Sequence, residues 1–141
     1  MTSKISFKQF KTRDLVASRP TVKIPIYILG VGALENQYLE IVSQYDDKYR
    51  QAQAQFWVDC AEMSFGDLKD KEKDELQLKL RAKQMASLVV GWTFEEECTL
   101  ENATEFLYQN PNMYDAVNVS AAKDEDFFGL RLEGSQKESD S

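Results

Sequence analysis

No histidine occurs among the 141 residues. That absence removes the Ser-His-Asp triad, the Cys-His pair and the imidazole metal ligand together. Cysteine is nearly as scarce: Cys60 and Cys98 stand far apart in sequence, with no second pair near either. A zinc ribbon is therefore excluded, and a disulfide framework of the secreted kind would use more cysteines. Both read as reduced thiols acting as small hydrophobes in a cytosolic protein, although sequence leaves a single bridge between them open. Long apolar runs are also missing. The longest, Ile24 to Leu29, is strand-length and contains Pro25, well short of the ~20 residues of a membrane-spanning helix. No membrane partner is expected.

What is present is an ordinary globular balance, 43% hydrophobic and 29% charged, which argues against wholesale disorder or a fibrous repeat. The length suits one domain with a single core. Net charge is −7 and unevenly spread. Residues 1–23 carry six basic side chains against Asp14 alone, whereas the rest of the chain holds 11 basic and 23 acidic ones. So acidic a body repels phosphate backbones, and no nucleic-acid partner is expected. The basic leader lacks the apolar segment of a signal peptide, and Asp14 sits poorly in a transit peptide. It reads as a soluble end.

Three regions emerge. Residues 1–20 form a basic, loosely ordered leader with one short helix from Thr12 to Ser18, stopped by Arg19-Pro20. Residues 21–128 form a single α+β domain, mainly helical, with an N-terminal β-hairpin packed on a helical body. Residues 129–141 form a polar tail with little to bury, expected to be disordered. Within the domain, Val22, Ile24, Ile26 and Ile28 alternate with Lys23, Pro25, Tyr27 and Leu29, the period of a half-buried strand. Pro25 lacks an N–H, which places that strand at a sheet edge or gives it a bulge. After the turn residues Gly30 and Gly32, Gln37 to Val42 return as the second strand.

Ser43 followed by Asp46 resembles a capping box and opens a helix over 45–63. Its apolar stripe is Tyr45, Tyr49, Ala52, Phe56, Cys60 and Met63. A second helix is expected over 67–90, its charge run Lys69 to Glu75 exposed and its apolar face running from Leu76 to Val89. Gly91-Trp92 ends it. Thr99 caps a third helix carrying Ala103, Phe106 and Leu107, closed by Asn110-Pro111. A weaker fourth helix follows, with Met113, Ala116, Val117, Ser120 and Ala121 on one face.

Catalytic patterns fail one by one. Glu95, Glu96 and Glu97 are consecutive and cannot all face inward, so they read as a solvated turn rather than an acid-base pair. Asp124-Glu125-Asp126 resembles the start of a calcium loop, but the fifth and twelfth loop positions hold Phe128 and Ser135, which supply no suitable ligand. There is no P-loop, GxGxxG or GxSxG. The expectation is a non-enzyme without a catalytic residue, metal or cofactor. The aromatics are more informative: Trp92, Phe94, Phe106, Tyr108, Phe127 and Phe128 cluster in the last third, near segment ends. Core packing accounts for any one of them. As a group they are candidates for an exposed apolar patch that anchors a protein partner.

The run from Val90 through Trp92 and the Glu95–Glu97 turn to Leu107 resembles the C-terminal signature of small tail assembly chaperones of long-tailed bacteriophages. In that family a Gly-Trp or Asp-Trp follows a long helix, and an acidic turn leads into a helix opening with a Glu-Asn-like pair, here Glu101-Asn102. A Pro-containing stop and another short helix come next, where Pro111, Val117 and Asp126 to Phe128 fall. Lys23 to Tyr27 and Tyr49 to Gln53 are similar to its N-terminal half, so the resemblance spans roughly 21–128. It implies a non-enzymatic assembly factor that coats the tape-measure protein in the infected host cytoplasm, keeps it soluble, and leaves as tail-tube subunits polymerise. The implied partners are that protein, with the tail-tube protein and a second copy of the chain as further candidates; the implied binding surface is the Trp92 turn with the aromatic end of helix 101–110. The mature virion would lack it. The alternatives are a structural virion component, such as a minor tail or head-completion subunit, and a DNA-mimicking inhibitor, whose carboxylates would be spaced along a ridge rather than clumped at 70–75, 95–97 and 124–126.

Overall fold

A computed structural model describes residues 4–129. The polar segment 130–141 lies outside them. A 3-10 turn at Phe7–Gln9 and helix α1 (Thr12–Ala17) precede a hairpin of β1 (Thr21–Ile28) and β2 (Gly32–Val42). Then come α2 (Asp47–Ser64), α3 (Asp70–Ala86), β3 (Val89–Trp92), α4 (Leu100–Gln109) and α5 (Pro111–Ala121), with residues 124–129 also helical. The chain is mixed α+β, and its sheet is antiparallel in the order β1-β2-β3.

The sheet follows from its sequence with two corrections. β1 lies at an edge, and its pairing with β2 shifts between Pro25 and Tyr27, so the proline both sits at the edge and marks a bulge. Ile24 and Ile26 are buried while Ile28, beyond the bulge at the hairpin tip, is exposed. β2 begins at Gly32, five residues earlier than expected. Its first half is low in apolar residues, Leu34 being the large one that packs against the core, and that conceals the strand.

The second correction is β3. Apolar spacing carries a helical period through Val89, yet α3 stops at Ala86. Val89 to Trp92 instead pair with β2, Leu39 opposite Trp92 and Ile41 opposite Val89. Two β-branched residues followed by glycine favour that outcome over helix. Gly91-Trp92 is thus strand rather than helix terminator.

The core gathers on β2, where Leu39, Ile41 and Val42 are sealed from solvent against Leu88, Leu107, Met113 and Val117. α5 crosses both hairpin strands, and α3 packs on α4. The short joint after β2 is tied to both layers: Val42 N–H donates to Leu88 O at 2.9 Å and Gln44 N–H to Ala121 O at 3.0 Å. α2 begins at Asp47, and its N-cap is Asp46, whose carboxylate accepts from Lys48 N–H at 3.2 Å. Ser43, the expected cap, instead accepts from Tyr45 N–H at 3.1 Å and closes the turn before the helix. Tyr45 therefore lies outside α2. Of the expected stripe, only Tyr49 and Phe56 are fully buried.

α2 and α3 form an antiparallel helical hairpin. Tyr49, at the start of α2, lies within hydrogen-bond reach of Gln84 near the end of α3, with Gln84 Nε2 donating to the phenol oxygen at 3.4 Å. The base of this hairpin rests on the core. Its far end, where the two helices connect, carries exposed Phe65 and Leu68, and Leu78 is exposed midway along α3.

Candidate partner-binding surface

Three of the six aromatic candidates meet. Trp92 ends β3, Phe94 follows in the turn, and Phe106 comes up from α4. Their ring centroids are 5.1 Å (Trp92–Phe94), 6.1 Å (Trp92–Phe106) and 4.8 Å (Phe94–Phe106) apart, at interplanar angles of 73°, 74° and 58°. Such edge-to-face contacts add about 0.5–1.5 kcal/mol per pair beyond area burial. Trp92 Nε1–H donates to Glu96 O at 2.7 Å, and Asn102 Nδ2–H donates to Glu97 O at 2.9 Å. Thr99 caps α4 by accepting from Asn102 N–H at 3.1 Å. The acidic turn is thus folded over the indole by its backbone, while the three carboxylates stay exposed. A shallow pocket of about 240 Å3 lies beside the trio, edged by Glu96 and Glu105.

The other three aromatics are elsewhere. Two residues along a helix turn the side chain by roughly 200°, so Tyr108 leaves α4 on the side opposite Phe106. There Lys79 Nζ sits 5.3 Å from its ring centroid, and its hydroxyl donates to Glu75 Oε1 at 3.4 Å. Phe127 is 6% exposed and belongs to the core. Phe128 is partly buried beside it, with ring centroids 6.1 Å apart. The expected single exposed patch is therefore corrected: none of the six is fully exposed, and they do not converge on one surface. The trio acts first as a lock on the turn between β3 and α4.

A larger concavity lies away from the six aromatic candidates. An open groove of about 640 Å3 runs between α2, the end of α3 and β3. Ala52, Phe56, Leu80, Ala86, Val89 and Val90 supply its apolar surface, and Arg19, Lys48 and Lys83 its cations, against Asp59. In a chain of net charge −7, this is a locally cationic cleft. Arg19 is held there by Asp46, Nε at 2.8 Å and Nη2 at 3.3 Å, leaving Lys48 and Lys83 as the groove's unpaired cations among the described residues. β3 lies at a sheet edge, and its Val90 is 40% exposed. A signal existed in the sequence: Lys48, Gln51, Gln55 and Asp59 mark one polar flank of α2 beside the apolar stripe.

Both cysteines are free and partly buried. Burial pushes the Cys98 thiol up from its ordinary value, and burial also raises the Tyr114 phenol. Each group folds more readily protonated than ionised. Its stabilisation is complete below the unfolded-state pKa and lost as pH rises through the folded one. Urea melts should therefore show falling stability above about pH 9, with a shallower fall in Cys98→Ala. An unchanged slope in that variant would clear Cys98 of the effect. Among the described residues, no group of three or more Cys, Asp or Glu side chains is placed to hold a metal ion, and no helix is long and apolar enough to cross a membrane. No protein-family model, curated protein or solved structure matches the chain.

Proposed function

We propose that this protein is a tail assembly chaperone of the long-tailed bacteriophage kind, which binds the tape-measure protein in the host cytoplasm and keeps it soluble until the tail tube polymerises around it. The resemblance in the Val90 to Leu107 segment suggests the class. The observation that carries the reading is the open groove between α2 and β3, with its apolar surface and its lysines. An amphipathic helix is recognised by a groove that accepts apolar anchors one turn apart. Lys48 and Lys83 favour a client stripe flanked by carboxylates, and the acidic remainder of the surface keeps the complex dispersed. Binding is thereby moved from the Trp92 trio itself to the adjacent groove, with the trio holding the β3–α4 turn that borders it.

Co-expression with the tape-measure protein tests both parts. The client should become soluble and co-purify with the wild-type chain. Val90→Asp places a charge on a partly exposed edge position, so stability should fall by no more than about 1 kcal/mol. Client recovery should nevertheless fall about tenfold, the cost of a charge against an apolar anchor. Undiminished recovery would remove the groove from the proposal, and an insoluble client beside soluble wild-type chain would remove the chaperone function. Stoichiometric copies in mature particles would instead favour a structural virion component.

A further inference from the structure

We propose that the outer face of α2 is a self-association surface on which a second copy of this chain docks antiparallel. Ala54, Trp57, Val58, Ala61 and Phe65 follow one another at steps of three, one, three and four, the spacing of a single helical stripe. Ala54 and Phe56 are two residues apart, so the stripe lies roughly 200° around the helix from the buried Phe56. All five of its residues are exposed, Trp57 at 68% and Phe65 at 88%. α2 therefore has two apolar faces, and the fold covers only one. Phe56 meets the Trp57 ring edge-on, centroids 5.5 Å apart, so the indole is already held in place by the core side of its own helix.

Area, shape and charge favour a second copy as the occupant. An aromatic side chain offers about 150–250 Å2, so Trp57 and Phe65 at these exposures present roughly 300 Å2. A two-fold contact doubles that figure. With Val58, the alanines and a polar rim, it reaches the lower end of the ~1,200–2,000 Å2 of stable interfaces. Ala54 and Ala61 are seven residues apart and small, which lets two helices approach closely. If Ala54 faces the partner's Ala61, the two-fold axis passes between positions 57 and 58 and seats each Trp57 beside the partner's Val58. On the outer side the N-terminal half of α2 carries Arg50 with Asp47 and the C-terminal half carries Glu62, while Lys48 and Asp59 face the groove. Antiparallel pairing brings opposite charges and opposed helix dipoles together, and parallel pairing brings like charges together.

Sedimentation of the purified full chain alone tests this without the client, so its result is independent of the chaperone reading. The expected behaviour is a monomer–dimer equilibrium in the micromolar range. Trp57→Glu and Phe65→Glu should each weaken it about thirtyfold, the loss typical of an interface hot spot, while leaving the thermal melt unchanged. Leu29→Glu, at the exposed hairpin tip, should have no effect. A chain that stays monomeric throughout would overturn the proposal, as would a dimer indifferent to both α2 variants or broken by Leu29→Glu. Should Trp57→Glu lower the melt, Phe65→Glu decides, since its ring is the more exposed.

Discussion

Met113→Ala is expected to lower the unfolding free energy by about 2–5 kcal/mol, the range for emptying a sealed core site. For a domain of this size that displaces the thermal midpoint by roughly 10 °C or more. Met113 is fully buried (0% exposed) at the first turn of α5. It also answers a defect of the sheet. The β1–β2 register shifts between Pro25 and Tyr27, and just past the shift the Tyr27 N–H donates to Met113 Sδ at 3.3 Å. One residue earlier on α5, Asn112 Nδ2–H donates to Tyr27 O at 3.1 Å. The start of α5 thus braces β1 beside the register shift. Met113→Leu separates the two roles, since it keeps the volume and removes the acceptor. Sulfur is a weak acceptor and Tyr27 is partly exposed, so solvent can take over the N–H; the cost should stay below about 1.5 kcal/mol. Urea melts on both variants check the ordering. Equal losses would mean that the sulfur contact, not the volume, holds the joint.

That joint illustrates what the sequence makes legible. Proline's missing N–H is a local property, so the edge position and the bulge of β1 could be read directly from Pro25. The side chain that braces the strand past the shift lies 86 residues beyond Tyr27, and no local pattern names Met113. The same division runs through the fold. Thr99 with Asn102 and Asn110 with Pro111 fix the ends of α4 by short-range chemistry, and both ends fall where expected. β3 was concealed because Met85, Ala86 and Val89 continue a helical period. Only pairing with Ile41, more than 40 residues earlier, converts Val89 and Val90 to strand. The candidate site divides likewise. Trp92, Phe94 and Phe106 were recognisable as a group because they lie within one turn and the helix it feeds. Tyr108 and Phe127 share their composition but not their direction, since helical phase sends one across α4 and the core takes the other. The groove depends on the α2–α3 crossing, which no residue spacing specifies. The outer stripe of α2 was readable in principle, but the stripe through Tyr49 and Phe56 had already accounted for the helix.

Asp46→Ala should cost about 2–3 kcal/mol, and the reason lies in which of its bonds dominates. The carboxylate is nearly sealed, with the residue 3% exposed, and it holds Arg19 through two nitrogens while capping α2 through Lys48 N–H. Its partner's side chain is 41% exposed, so Arg19 regains water when the carboxylate goes, and the pair itself is worth about 0.5–1 kcal/mol. The cap contributes about 1 kcal/mol, and the unsatisfied backbone donors at a partly buried helix start supply the remainder. Asp46→Asn retains an accepting oxygen and should lose only about 1 kcal/mol. Arg19→Ala should lose no more, and the double variant should fall short of the sum by the worth of the pair. The consequence reaches the groove. α2 packs chiefly on α3, so this N-terminal anchor is what keeps its Lys48–Phe56 wall fixed relative to β3. In Asp46→Ala the amides of Lys48, Tyr49 and Arg50 should exchange with solvent faster than in wild type, and client capture should weaken even below the melting temperature. If those amides keep their protection while stability falls, the loss lies in the ion pair, and α2 is held by its packing alone.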